Sequence, residues 1–467
     1  MLKKEIVDSI ILRGGKLVIP DVKIVDNPDI YIKKGIVQRI GKINQSAIPV
    51  MTLLKDQYIS PGFIDMHCHL REPGNTESET IKSGTLSAIA GGFTKVCCMP
   101  NTNPSLDNPK IINYVQKQAR QAGNAEMFVI GCATKGRAGK EIANIDKMVS
   151  AGIVAVSDDG SPISDYRLMQ KILEQCSGFN IPTINHCEVL ELSKSGVMND
   201  GKISKKLGLK GIPDIAESIM VLRDIALADY TKGRVHIAHV STKKSVDLIR
   251  WAKKQGIRVT AETCPHYFTL TENDCLRLNT NYKVSPPLRT KPDVEAIKQG
   301  LADGTIDTIA TDHAPWHRSK KQIGPYSHRG TEFTENPESY KNLSLCSLTL
   351  RGKNWEKAKS GMIGFETAFS LGYEELVLKK YLTLEKYIAC LTTKPAQILN
   401  LKDSATIAEG ITATITIFDS NKTWTLSEEN ILSKSKNSPF IGRKLKGKVE
   451  KVILKDKIFY CYSDYTR

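Results

Sequence analysis

The middle of the chain alternates short apolar, β-type runs with stretches of helical spacing, and the alternation repeats eight times. The runs cover residues 59–70, 94–100, 126–133, 153–157, 181–186, 235–240, 258–263 and 306–310. Between them, segments such as 80–90, 165–175, 215–229 and 243–255 carry apolar residues at the spacing of a helix with one face in a core. The strand runs are apolar on both faces, as buried parallel strands should be. Strand–helix repetition of this kind is the pattern of an α/β TIM (β/α)8 barrel. A doubly wound open sheet has the same rhythm, so periodicity alone leaves both open.

The polar residues that end these runs bear on the choice. His67 and His69 close the first and Asn101 follows the second. Asp158 and Asp159 follow the fourth, His186 closes the fifth, His239 lies near the end of the sixth, and Asp312 follows the eighth. In a closed barrel these ends converge on one mouth, where barrel active sites lie; an open sheet would spread them along an edge. No glycine motif opens a helix in the manner of a phosphate-binding loop.

The two ends of the chain have a different texture. Residues 10–12, 16–19, 29–32 and 36–40 read as short strands, separated by the turn residues Gly14-Gly15 and Asn27-Pro28. Residues 411–418 alternate with threonine and 449–462 are again strand-like. The expectation is one small β domain built from 1–57 and 409–467, beside a barrel of 58–408.

Composition narrows the partners. With 40% hydrophobic and 25% charged residues the chain can bury a sizeable core. Its net charge of +16 is dispersed in lysine pairs such as Lys205-Lys206 and Lys379-Lys380, and the denser stretch 434–448 is interrupted by Pro439-Phe440. No zinc-finger or RNA-binding signature accompanies it, so nucleic acid is not an expected partner. The first eight residues are charged and polar, and the apolar runs are too short to cross a bilayer. Eleven cysteines sit mostly inside apolar runs. They read as free thiols of a reduced, cytoplasmic compartment.

The sharpest local signal is the segment Asp65-Met66-His67-Cys68-His69-Leu70-Arg71. Two histidines two apart on a strand point to one face, which places two imidazoles side by side as a bound metal needs. His186 and His239 taken singly read equally as hydrogen-bonded core residues; together with the first pair they read as ligands. His236 falls on the opposite face from His239 and is expected to be structural. Asp158-Asp159 reads as a turn or as ligation. Asp312, leaving a buried strand into such a mouth, can ligate metal or take a proton from bound water.

These segments, together with GGFTKVCCMPNTNP (91–104), AVSDDG (155–160), HVSTKKSV (239–246), CPHYFTL (264–270), KVSPPLR (283–289), IATDHAP (309–315) and SKNSPFIGRKLKGKV (435–449), resemble the dihydroorotases of the bacterial class I type, in order and over essentially the whole chain. The resemblance implies an amidohydrolase barrel with a β-sandwich formed by both termini. It implies a zinc centre, with one or two ions per subunit, on His67, His69, Asp159, His186, His239 and Asp312. Asp159 stands where other amidohydrolases carry a carboxylated lysine, and AVSDDG holds no lysine, unlike hydantoinases. It implies that Arg71 and Asn101, with His69, Ser285 and Trp316, line the substrate pocket, and that Asp312 is the catalytic proton carrier. The implied reaction is reversible ring closure of N-carbamoyl-L-aspartate to L-dihydroorotate in pyrimidine (UMP) synthesis. A homo-oligomer and assembly with aspartate transcarbamoylase are implied as well.

Three features depart from the family pattern. Ser285 replaces an asparagine, Trp316 replaces a histidine, and a long polar stretch, 318–360, replaces a short loop. Two other readings therefore stand beside the first: a non-catalytic scaffold for aspartate transcarbamoylase, and a cyclic amidase for another ring. Six retained ligand positions favour an enzyme. Arg71 speaks against a neutral ring, which would offer it no carboxylate.

Overall fold

A computed structural model describes residues 2–44, 47–322, 345–401 and 405–461, with the backbone alone at 345–350. Eight parallel strands follow one another around a barrel: Phe63–Cys68, Phe93–Cys98, Glu126–Cys132, Ile153–Ser157, Thr183–Asn185, Val235–Ile237, Val259–Thr263 and Thr308–Ile309. A parallel bridge between Cys68 and His313 brings the last segment back to the first strand. The His69 N–H donates to the His313 carbonyl there at 2.9 Å. The open-sheet alternative is thereby excluded.

The helical segments flank the strands and start where the sequence supplies caps. Thr80, Asp165 and Thr242 accept backbone N–H groups at the starts of Ile81–Ala90, Tyr166–Gly178 and Lys243–Lys254. Met66, Cys97, Ile130, Ala155, Ile184 and Ala238 form the barrel's inner packing, which Ile398 and Leu399 extend. That plug makes the barrel a packed core and leaves its chemistry to the mouth.

A second sheet of nine strands draws on both ends of the chain. Thr414–Thr425 pairs antiparallel with Val50–Pro61 on one side and with Lys444–Leu454 on the other. Lys3–Ile6 pairs with Lys457–Tyr460 at its edge. Ile10, Leu12, Leu17, Ile30, Ile32, Ile415, Ile417 and Ile453 bury their side chains together between its layers. The result is a β-sandwich beside the barrel.

Two expectations about strands are corrected. The run 59–70 is not one strand: Val50–Pro61 belongs to the sandwich and Phe63–Cys68 to the barrel. Gly62 makes the passage possible, because a Cβ there would lie 2.2 Å from Thr94 Oγ1, and its N–H donates to the Thr414 carbonyl at 2.8 Å. Gly14-Gly15 is not a turn either. Both lie inside the continuous strand Ser9–Ile19, with φ of 86° and 67°, and the register against Val50–Pro61 shifts beside them. They form a bulge that bends the strand without ending it.

Of the stretch 318–360, residues 323–344 lie outside the described residues. The described parts include the short helix Arg318–Lys321 and the helix Leu345–Lys357, after which the chain runs on through residues 358–360. No described helix is long and apolar enough to cross a membrane. The ten described cysteines are free and buried.

Candidate metal centre

The fold brings His67, His69, Asp159, His186, His239 and Asp312 together at the barrel mouth, every one of them buried. Asp159 lies among them. Its Oδ1 is 3.5 Å from His67 Nε2, 3.7 Å from His186 Nδ1 and 3.6 Å from His239 Nε2, and its Oδ2 is 3.7 Å from His69 Nε2. Asp312 Oδ1 lies 3.0 Å from His69 Nε2 and 3.7 Å from His67 Nε2. His186 Nδ1 and His239 Nε2 are 2.8 Å apart. His67 and His69 do reach one site, though the strand ends at Cys68 and a register shift falls between Asp65 and Cys68. That irregularity lets Met66 pack inside the barrel while the next residue, His67, reaches the mouth.

Outer partners decide which ring nitrogens face the centre. His67 Nδ1 is 2.6 Å from Glu262 Oε1. A carboxylate only accepts, so Nδ1 carries a proton and Nε2 is the nitrogen turned toward Asp159 and Asp312, where a cation would replace its proton. That Nε2 is buried with no hydrogen-bond partner among the described residues. His69 Nδ1 is 2.9 Å from Asn101 Oδ1, while Asn101 Nδ2 donates to Asp159 Oδ2 at 3.3 Å. Asn101 thus orients a histidine and a carboxylate at once. His186 Nε2 is 3.2 Å from Glu188 Oε2, which turns its Nδ1 inward.

This donor set suits a cation. Burial opposes charge on His67, yet Glu262 and Asp159 raise its pKa well above the usual histidine value. Burial opposes charge on Asp159 and Asp312 too; His67 holds the first well below the usual carboxylate range, and His69 holds the second at about 2. His69 is lowered, chiefly by burial. The carboxylates stay ionised, and a divalent cation would take over the stabilisation that ring protons otherwise provide.

The two adjacent aspartates divide their work. Asp158 Oδ1 accepts the Ala133 and Thr134 N–H groups at 3.0 Å each and shapes the turn. Asp159 goes to the centre. Arg71 reaches the same mouth, 6% exposed, with burial lowering its pKa to about 10. Its Nε–H donates to the Pro315 carbonyl at 3.0 Å. Neither terminal NH2 group has a protein acceptor among the described residues. Trp316 is half-buried against that guanidinium. Ser285 is half-buried, and no described contact ties it to the six ligand candidates.

Glu262 was missed from the sequence. It is wholly buried in the seventh barrel strand, and His236, read from the sequence as structural, is buried behind it with Nε2 3.3 Å from its other oxygen. An acidic residue inside an apolar parallel strand was the available signal. His266 and Cys264 lie beside Asp312, close enough for the three to hold an ion. Burial lowers the His266 pKa to about 4.

A barrel mouth gathering four imidazoles and two carboxylates, beside a sandwich woven from both chain ends, defines a metal-dependent hydrolase. The amidohydrolase family profile matches residues 58–459. A dihydroorotase of Endomicrobium trichonymphae is 47% identical over 439 residues, covering 92% of this chain and 96% of that protein. A dihydroorotase of Trichlorobacter lovleyi is 41% identical over 453 residues, covering 97% and 99%. Among solved structures, an L-hydantoinase (dihydropyrimidinase) from Arthrobacter aurescens matches with a TM-score of 0.79 at 22% identity, over 96% of this chain and 95% of that one. That likeness is one of fold. The chain belongs to the amidohydrolase family and, within it, to the dihydroorotases, hydrolases of cyclic amides.

Proposed function

We propose that the chain interconverts N-carbamoyl-L-aspartate and L-dihydroorotate, with His67, His69, Asp159, His186, His239 and Asp312 holding one or two zinc ions. The layout supports either number: His67, His69 and Asp312 form one group and His67, Asp159 and His239 another. When bound, the metal supplies Lewis acidity toward the ring carbonyl and an ionised water at neutral pH. Glu262 and Asn101 keep the His67 and His69 rings turned toward it. Asp312, held ionised, accepts the proton released by the attacking water and delivers it to the leaving ring nitrogen. In the synthetic direction these transfers reverse.

The observation that carries the substrate assignment is the fork of Arg71. A buried guanidinium whose two NH2 groups have no acceptor among the described residues, beside the metal-ligand candidates, matches a carboxylate in bidentate fashion. Incubation of zinc-loaded protein with carbamoyl-aspartate, dihydroorotate and neutral hydantoins tests it. Turnover of the two acids and not of the neutral rings is expected. Turnover of hydantoins alone, or of nothing despite full metal, would overturn it.

Residues 58–408 are proposed as the catalytic barrel and 1–57 with 409–467 as the accessory domain; the two sheets support this division into barrel and sandwich, with the passage at Gly62, since residues 58–61 complete the sandwich strand Val50–Pro61. A cytoplasmic location is supported by the free, buried thiols. Assembly with further copies is supported by Ile215, Ile219 and Leu222, exposed at helical spacing on Ile215–Thr231; assembly with aspartate transcarbamoylase is proposed on the resemblance alone.

A further inference from the structure

Arg71 is fastened before any substrate arrives. Its backbone has φ of 58°, its Nε–H is bound to the Pro315 carbonyl, and its guanidinium carbon lies 4.2 Å from the centre of the Trp316 ring. Trp316 is itself anchored at two points. Its backbone N–H donates to Asn437 Oδ1 at 3.1 Å and its indole Nε1–H to the Ser360 carbonyl at 2.7 Å. Asn437 Nδ2 donates in turn to the Ala314 and Gly361 carbonyls, each at 3.1 Å.

The segment behind the ring is held by two buried lysines. Lys283 Nζ donates to the carbonyls of Trp355, Glu356 and Ala358 at 2.7, 2.9 and 2.8 Å. Lys321 Nζ donates to those of Lys359 and Gly361 at 3.0 and 2.9 Å. Gly361, with φ of 127°, passes so close that a Cβ there would lie 3.3 Å from Trp316 Nε1.

We infer that Trp316 is a positioning residue: its ring, braced by Ser360 and Asn437, sets the plane of the Arg71 guanidinium so that both NH2 groups face the substrate carboxylate. The inference rests on the proposed function, because it takes Arg71 as the carboxylate anchor. An arginine already stacked loses less rotamer freedom on capturing its ligand. The stack therefore acts on affinity in ground and transition state alike, and its loss raises KM while sparing kcat.

The test compares zinc-loaded wild type, W316F and W316A in carbamoyl-aspartate turnover, with metal content and thermal melts measured on the same samples. W316A is expected to raise KM about tenfold with kcat within about twofold and zinc content unchanged. W316F keeps a weaker ring face and loses the bond to Ser360, so a rise of about threefold is expected. Should W316A fail to fold, W316F decides. Unchanged KM in the folded variants, or a fall in kcat at constant KM, overturns the inference alone. A wild type that turns over no carbamoyl-aspartate overturns the proposed function, and this inference with it.

Discussion

Replacing Glu262 by glutamine removes one charge from a place no solvent reaches, and its effect can be worked out from the geometry. Glu262 Oε1 lies 2.6 Å from His67 Nδ1 and Oε2 lies 3.3 Å from His236 Nε2, all three residues being fully buried. Burial would raise the Glu262 pKa, but His67 and His236 hold it well below the usual carboxylate range. The residue is therefore an anion whose attraction fixes the His67 proton on Nδ1. A glutamine of the same shape offers a neutral acceptor or, flipped, a donor that forces the proton onto Nε2, the atom facing Asp159 and Asp312. Charge-assisted hydrogen bonds are roughly twice as strong as neutral ones. Loss of such an outer carboxylate typically weakens metal binding 10- to 100-fold, about 1.4–2.7 kcal/mol. Zinc-loaded wild type and E262Q titrated with a competing chelator, with retained metal read by mass spectrometry, measure this directly. The E262Q curve is expected to shift to lower chelator by that factor, with the fold unchanged by circular dichroism. Superimposable curves would refute the claim that Glu262 orients His67 toward a metal.

Three further outcomes are expected. Asp312→Asn leaves a group that cannot carry the proton, and kcat should fall about 10²- to 10⁴-fold, checked by steady-state assay on samples of known zinc content; retention of most activity would remove Asp312 from that role. Removal of zinc by a chelator should lower the melting temperature by several degrees, reversibly on zinc addition, since a site filled at a hundred times its Kd contributes about 2.7 kcal/mol; an unchanged melt speaks against a metal held by six buried groups. Burial lowers the Lys283 pKa to about 8. Between that value and its ordinary 10.5 the unfolded chain binds the proton that the folded chain has released, so stability should rise with pH, by at most about 1.4 kcal/mol per pH unit. Chemical unfolding of wild type and K283M from pH 7.5 to 10 checks the sign: the difference should move in favour of wild type as pH rises, and a flat difference would contradict it.

Much of the architecture was legible in the amino-acid order because it rests on local periodicity. Two-faced apolar runs spaced by helical segments specify parallel strands under helices, and polar residues at the same end of successive strands specify one mouth. The six ligand candidates could be found this way, helped by the resemblance, since each sits at a strand end that the pattern marks. Periodicity could not show where the strand run 59–70 breaks, because the break depends on Thr94 and Thr414 approaching Gly62. Nor could it tell Asp158 from Asp159, which differ only in whether they meet the Ala133–Thr134 backbone or the histidines.

What the sequence determined by itself was the set of chemical groups and the end of the barrel on which they emerge. Tertiary structure alone decided their orientation: Glu262 behind His67, Asn101 between His69 and Asp159, Trp316 against Arg71. Glu262 and His67 are 195 positions apart, and Trp316 and its brace at Asn437 are 121 apart. A strand's period says which way a side chain leaves its own backbone. The neighbour it meets there depends on closure of the barrel and on the loops folded across its mouth.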